Sequence, residues 1–335
     1  MQTPTISVVI PVKNGAPWLD DCIRGIMRQS LFRQTEIIAI DSGSTDNSLK
    51  ILQKYPVRVY SISPSEFNHG LTRQYGVELS SGKYVVMTVQ DAHAVDEFWL
   101  EHLLNGFTAD SKVAAVCGSQ VVQKGRDKNP VEWFRPISQP TKVVYKYASA
   151  EDFQKLTPLE KMWACGWDNV TAMYKRSILK EIPFQNANFG EDAIWAKDAL
   201  LSGYTLVYNQ AAKVYHFHYE DLDYSFRRNF AVMYMRYKQF GCIYNRPLQT
   251  LRQHLSTIKV IALSNPLTLK EKWKWLQYNK MQFKGRVKAY EIFAAALAES
   301  EDRLDAAHEH YCGKPPVHQL AQSGDHNLPA KQKID

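Results

Sequence analysis

The chain has 335 residues, 45% of them hydrophobic, and a formal net charge of +7. That length suits one large domain or two small ones, and the composition is that of a globular protein rather than a fibrous or disordered one. No window approaches ~18 uninterrupted apolar residues, which argues against a transmembrane helix, and the chain enters a strand almost at once, so no signal peptide is expected.

Ile6-Ser-Val-Val-Ile-Pro-Val12 reads as a buried strand with Pro11 near its end, followed by the turn Lys13-Asn14-Gly15. Leu19, Cys22, Ile23, Ile26 and Met27 then fall on one helical face. Glu36 to Ile40 is a second strand ending at Asp41, and either Thr45 or Asp46 is expected to cap a helix through Leu49 and Leu52. Val57 to Ile62 is a third strand. Asn68-His69-Gly70 leads into a helix from Leu71 to Leu79. After the turn Ser81-Gly82-Lys83, Tyr84 to Val89 is a fourth buried strand, and polar residues resume at Asp91.

Four strand–helix units in succession imply a Rossmann-like, mostly parallel α/β sheet with helices on both faces. Val12, Asp41 and Asp91 then lie along one sheet edge, where ligands of such folds bind. A helix from Phe98 to Phe107 and a strand from Val113 to Val122 follow. From Gln123 to about Met162 no clear period appears, and a loop this long in a compact domain is usually functional. Val170 to Tyr174 is a further strand. Glu191-Asp192 precede a helix from Ala193 to Leu201, stopped by Gly203. Leu206 to Tyr219 reads as extended. From Tyr224 onward the chain is helical, basic and aromatic, with a break near Asn265-Pro266. The expected domains are 1–222, a helical extension over 223–312, and a disordered tail over 313–335.

From Arg227 to Lys288 there are 14 Lys or Arg and one acid, Glu271, so that segment carries +13 and the remainder −6. A bias this lopsided points to an anionic partner: membrane lipid, a phosphorylated acceptor or nucleic acid. The alternatives are an oligomer interface or a plain solvated face. Five scattered cysteines form no CxxC pair and read as reduced thiols.

The absence of GxGxxG after the first strand argues against a dinucleotide-binding dehydrogenase. Neither GxxxxGK[ST] nor GxSxG occurs, which disfavours P-loop NTPases and α/β-hydrolases. Asp41 at a strand end would accept the ring N–H of a pyrimidine, or else simply bond its own turn. Arg73, one turn after His69-Gly70, would neutralise a diphosphate, or be a surface arginine. Of Glu191 and Asp192, one would serve as a general base, or both merely complement the helix dipole. On a strand, His216 and His218 would face one way and contact a metal, or be structural. Asp91 would hold a hard divalent cation, and that cation a diphosphate.

In order, Ile6 to Val12, Ile40-Asp41-Ser42-Gly43-Ser44-Thr45-Asp46, Ser81-Gly82-Lys83-Tyr84 and Glu191-Asp192 resemble family-2 glycosyltransferases of the GT-A fold. Glu66 to Arg73, Thr88-Val89-Gln90-Asp91-Ala92 and His216-Phe217-His218 resemble more specifically bacterial rhamnosyltransferases of surface-polysaccharide synthesis. The resemblance covers roughly residues 6–228. It implies an inverting transfer to a glycan or lipid-diphosphate-linked acceptor from a dTDP- or UDP-sugar, best dTDP-rhamnose, in a cytoplasmic enzyme placed at the inner face of the membrane. A nucleic-acid partner is then disfavoured; an anionic membrane surface and a second copy of the chain stay open.

By the same resemblance, Pro11, Val12 and Asn14 line the donor nucleotide, Asp41 reads its base, and His69, Gly70, Arg73 and Gln90 line nucleotide and diphosphate. Asp91, with His216 and His218, holds Mg2+ or Mn2+. Asp192 is the base and Glu191 orients the acceptor, whose pocket includes Trp167 and Asp168. Two departures stand out. The usual DxD is Val89-Gln90-Asp91, lacking its first acid, and Lys197 stands where an arginine often follows the ED pair. The incomplete DxD keeps open a non-catalytic nucleotide-sugar-binding subunit. A nucleotidyltransferase would be expected to carry a Gly-rich loop where Lys13-Asn14-Gly15 stands.

Overall fold

A computed structural model describes residues 4–133, 142–313 and 332–333. They fall into two compact units: Met1–Gln120, Gln139–His216 and Val317–Asp335 in the first, Val121–Ser138 and Phe217–Pro316 in the second.

In chain order the first unit contains β1 (Ile6–Val12), α1 (Leu19–Met27), β2 (Thr35–Asp41), α2 (Ser48–Leu52), β3 (Val57–Ser61), α3 (His69–Leu79), β4 (Tyr84–Thr88), β5 (His93–Ala94) and α4 (Trp99–Gly106). β6 (Val113–Val121), β7 (Lys142–Tyr145), α5 (Ala150–Gln154), α6 (Pro158–Ala164), β8 (Thr171–Lys175), α7 (Arg176–Glu181), α8 (Glu191–Leu201) and β9 (Thr205–Tyr215) follow. The second unit holds α9 (Leu222–Phe240), α10 (Leu251–Ala262), α11 (Leu269–Glu299) and α12 (Glu301–Cys312). A short β10 (Gln332–Lys333) returns to the first and pairs antiparallel with β3; the rest of the expected tail beyond Gly313 lies outside the described residues.

The sheet runs β10-β3-β2-β1-β4-β8-β6-β9-β5, with β7 also on β9. β3, β2, β1 and β4 are mutually parallel, as the strand–helix alternation requires. Beyond β4 the order turns antiparallel, β8 against β4 and β6 against β8. Continuous apolar runs make β1 and β4 fit positions covered on both faces: Val8, Val9, Ile10, Val85, Val86 and Met87 are wholly buried. The parallel register pairs Val12 with Asp41, so the C-terminal ends of β1 and β2 are level, and β4 ends beside them.

Several boundaries differ from the sequence reading. Neither Thr45 nor Asp46 occupies the cap of α2; Asn47 does. Asp46 instead accepts the Ser48 N–H (2.9 Å) and the Ala16 N–H (3.1 Å), tying two loops together. α3 begins at His69, two residues early, because the Asn68 side chain caps it by accepting the Leu71 N–H at 3.0 Å. The stretch from Gln123 to Met162 is no single loop. It carries β7, α5 and part of α6, with 134–141 outside the described residues. β9 stops at Tyr215, so His216 and His218 lie past the strand and strand alternation does not orient them.

In the second unit, Phe226, Phe230, Met233 and Tyr234 of α9 pack with Ala289 and Phe293 of α11 and Leu304 of α12. Gly241, at φ 71°, ends α9 in a left-handed turn. Asn265-Pro266 separates α10 from α11, as expected. None of the five cysteines is joined in a disulfide among the described residues.

Candidate active site

The level strand ends are built into a rigid edge. After β1, the Asn14 side chain accepts the Thr45 N–H at 2.8 Å, and its own N–H donates to the Ser44 hydroxyl at 2.9 Å. Lys13 Nζ donates to the carbonyls of Ser42 and Gly43 at 2.9 and 2.6 Å. Asp41 is buried, and its carboxylate accepts the N–H groups of Gly43 (3.0 Å) and Ser44 (3.1 Å). It therefore shapes its own turn, whatever else it meets. Gln90 pairs with the Lys13 backbone in both directions, each bond 2.9 Å. Pro11, Val12, Asn14, Asp41 and Gln90 thus share one edge.

The second group forms where α3 meets α8. Gly190, at φ 73°, turns the chain into α8 so that Glu191 and Asp192 open it. Glu191 points inward. Arg73 reaches it at 3.1 Å, both side chains only 6% exposed, which rules out the surface-arginine reading. Arg73 also bonds the His69 ring and carbonyl, each at 3.2 Å, and its Nε has no acceptor among the described residues. Burial drives the Glu191 carboxyl up, but Arg73, then His69 and the Asn169 amide bond (2.9 Å), outweigh it and hold it low. Burial, more than the Arg73 charge, holds the His69 ring below its usual range.

Asp192 differs sharply from its neighbour. Burial first, then the charges of Glu191 and Asp168, push its carboxyl well above the ordinary range. Its side chain accepts the Ala193 N–H at 2.7 Å and the Asn169 N–H at 3.3 Å. The two adjacent carboxyls are thus driven in opposite directions, Glu191 held low and Asp192 raised. Asn169 joins them: its side-chain NH2 donates to Glu191, its backbone N–H donates to Asp192, and its side-chain Oδ1 accepts the Tyr174 hydroxyl at 2.5 Å. No sequence signal singled it out.

Gly70 lets α3 approach this region. A Cβ there would lie 1.7 Å from the Gln185 carbonyl oxygen, and the Gly70 N–H already donates to Ala187 at 3.1 Å. Gly70→Ala is expected to cost about 3 kcal/mol through backbone displacement. Calorimetry should show Tm falling by roughly 5–10 °C; an unchanged Tm would mean the approach is not tight.

The third group lies past β4 and β9. His216 Nε2 is 3.6 Å from Asp91 Oδ1. That is long for a hydrogen bond and suits two ligands of one divalent ion. Gln120, also unforeseen, sets the ring. Its amide NH2 donates to the Asp168 carboxylate, and its Oε1 meets His216 Nδ1 at 2.6 Å. With Nδ1 held on Gln120, Nε2 is the ring nitrogen that faces Asp91. His218, two residues on, falls in the second unit, which resumes at Phe217.

Trp167 is 5% exposed and packed among Tyr174, Trp195 and Tyr208 in edge-on and tilted contacts, with its Nε1–H donated to the Tyr174 hydroxyl at 2.8 Å. Asp168, partly exposed, accepts the Val170 N–H at 2.8 Å as well as the Gln120 amide. The tryptophan therefore braces this wall from behind, while the aspartate reaches its surface.

A family model described as "Glycosyl transferase family 2" matches residues 7–182. An O-antigen chain rhamnosyltransferase of Salmonella anatum is 30% identical over 221 residues, 64% of this chain and 67% of the relative. Another, from Salmonella typhimurium, is 28% identical over 218 residues, 64% of this chain and 66% of its own length. This chain thus spans about two thirds of each relative. A mannosyltransferase from Pyrobaculum calidifontis, solved with GDP-Man and Mn2+, superposes at TM-score 0.52 and 16% identity over 93% of this chain and 85% of that one. That likeness carries the fold, an α/β GT-A sheet with helices appended after it.

Proposed function

This chain belongs to glycosyl transferase family 2, and we propose that it transfers rhamnose from dTDP-rhamnose to a hydroxyl of a glycan or lipid-diphosphate-linked acceptor in bacterial surface-polysaccharide synthesis, inverting the anomeric centre. It is a glycosyltransferase; the sugar, the acceptor and the residue roles are the proposal. The rhamnose reading is supported by the names of the two Salmonella relatives. The catalytic reading is carried by one observation: at the start of α8, Glu191 is ion-paired to Arg73 at 3.1 Å, whereas the adjacent Asp192 accepts backbone N–H bonds from Ala193 and Asn169, and burial raises its carboxyl.

The donor's base sits against the Asp41 turn, with Pro11, Val12 and Asn14 beneath it and Gln90 fixing the Lys13 backbone. Arg73, with a spare Nε–H, faces the diphosphate near His69 and Gly70. Asp91, His216 and His218 would hold Mg2+ or Mn2+, which would supply positive charge to offset that growing on the leaving diphosphate. Asp192 takes the acceptor hydroxyl's proton as that oxygen attacks the anomeric carbon. Glu191 stays ionised on Arg73 and orients the wall on which the acceptor rests, with Asp168 beside it. One displacement on one face inverts the centre. No described helix is long and apolar enough to cross a membrane, which suits a cytoplasmic enzyme peripheral to the inner face.

Calorimetric titration with dTDP, UDP, GDP and ADP, each with Mn2+ and with EDTA, tests the donor site. Binding of dTDP or UDP should weaken by about tenfold or more with EDTA and in Asp91→Ala. If none of the four binds under either condition, the reading fails. A non-catalytic nucleotide-sugar-binding subunit is the second reading, favoured by the missing first acid of the DxD at Val89. The Asp192 variant discussed below separates the two.

A further inference from the structure

α10 is a helix that its own unit leaves almost bare. Of its 12 residues, Ile261 alone is buried. Leu251, Leu255 and Ile258 recur at i, i+4 and i+7 and share a face, and they are 73%, 54% and 36% exposed. Leu248, one turn earlier, is 74% exposed. A helix this short is marginal in water unless its apolar side is packed, so a bare aliphatic stripe marks a surface that something covers.

Charge identifies what covers it. Arg252 and Lys259 follow Leu251 and Ile258 by one residue and flank the stripe on one side; His254 flanks it on the other. Beside it opens a groove of about 680 Å3 whose lining includes Arg246, His254, Phe283, Lys284 and Lys288. Glu291, the acid in its lining, is paired with Arg246 at 2.8 Å. The next corner, between α10 and α11, exposes Leu263 (67%), Leu269 (85%) and Trp273 (65%) among lysines. A second copy of the chain would set this +13 segment against itself. A neutral apolar partner would cover the leucines and strand the cations. An anionic bilayer satisfies both, taking aliphatic side chains into the acyl boundary and cations at the phosphates.

We propose that α10 and the turn from Leu248 dock in the plane of an anionic phospholipid surface, with the groove cations meeting headgroup phosphates. This deepens the peripheral placement proposed above and rests on it; it names the element that makes the contact.

The full-length chain is sedimented with vesicles of phosphatidylglycerol and phosphatidylcholine, and with phosphatidylcholine alone. The parent should partition to the anionic vesicles about tenfold more than to neutral ones, and lose that preference at high salt. Leu251→Ser/Leu255→Ser/Ile258→Ser should lose about tenfold, and Lys284→Gln/Lys288→Gln should lower the anionic preference several-fold. All positions are exposed or line the groove, and unchanged circular dichroism establishes that the variants fold. Equal partition of parent and triple-serine variant overturns the docking. So does a parent dimer in light scattering that becomes monomeric in that variant without any vesicle binding. Calorimetric dTDP binding, read on the same proteins, reports the donor site separately, so either reading can fail without the other.

Discussion

Asp192→Asn is expected to lower turnover about a thousandfold while leaving nucleotide affinity unchanged. The asparagine is nearly isosteric and keeps an oxygen for the Ala193 N–H, the shorter of the two bonds to this side chain. What it loses is the capacity to accept a proton from the attacking hydroxyl. Because burial and the neighbouring carboxylates raise the Asp192 carboxyl well above the usual range, the parent's rate should climb with pH along a limb displaced upward from ordinary carboxylate titration. It should level off once the group is ionised. The residual activity of Asp192→Asn should show no such limb. Steady-state kinetics across pH read both effects. Parent-like turnover in Asp192→Asn would remove the residue from the mechanism and favour the non-catalytic subunit.

Stability supplies an independent check with the opposite sign. An acid whose folded pKa is raised binds its proton more tightly folded than unfolded, so it costs stability as pH rises from the unfolded value through the folded one. The asparagine has no such cost. Asp192→Asn should therefore melt no lower than the parent at neutral pH, and the gap should close below about pH 4, where the aspartate is protonated in both states. An inactive variant that is no less stable is the signature of a group held in place for chemistry.

What the sequence made legible follows from how each feature is encoded. β1, β2 and β4 are strands buried on both faces, so their continuous apolar runs were sufficient, and the apolar period of α1 identified its buried side. The site residues were legible one at a time, because strand ends and helix starts can be found locally. Their pairing was not. Arg73 and Glu191 meet only after the chain has crossed the sheet, and no local pattern encodes that contact. Gln120 and Asn169 carry no charge and no periodicity, yet they hold the His216 ring and bridge the two carboxyls. β7, α5 and α6 are too short for an apolar period to develop; α5 is anchored by the single buried Phe153. His216 shows the converse risk, since an extended-looking run was carried past the true end of β9.

The buried Arg73–Glu191 pair gives the largest expected loss of stability. Arg73→Met removes the cation and leaves a carboxylate 6% exposed with only the Asn169 amide and weaker neighbours. Breaking one side of such a pair costs about 4 kcal/mol. The pH dependence should change direction as well. In the parent, Arg73 holds the Glu191 carboxyl below its ordinary value against burial, so this pair's stability is present above about pH 4.3 and lost as pH falls through the lower folded value. Without Arg73 burial dominates, the folded pKa rises above the unfolded one, and the variant should lose stability as pH increases from acid toward neutral. Thermal melts between mildly acid and neutral pH distinguish the two slopes. The double variant Arg73→Met/Glu191→Gln, which leaves no uncompensated charge, should recover most of the loss. If it does so while dTDP affinity stays low, Arg73 serves the diphosphate as well as Glu191. If affinity returns with stability, the arginine acts only through the carboxylate it holds.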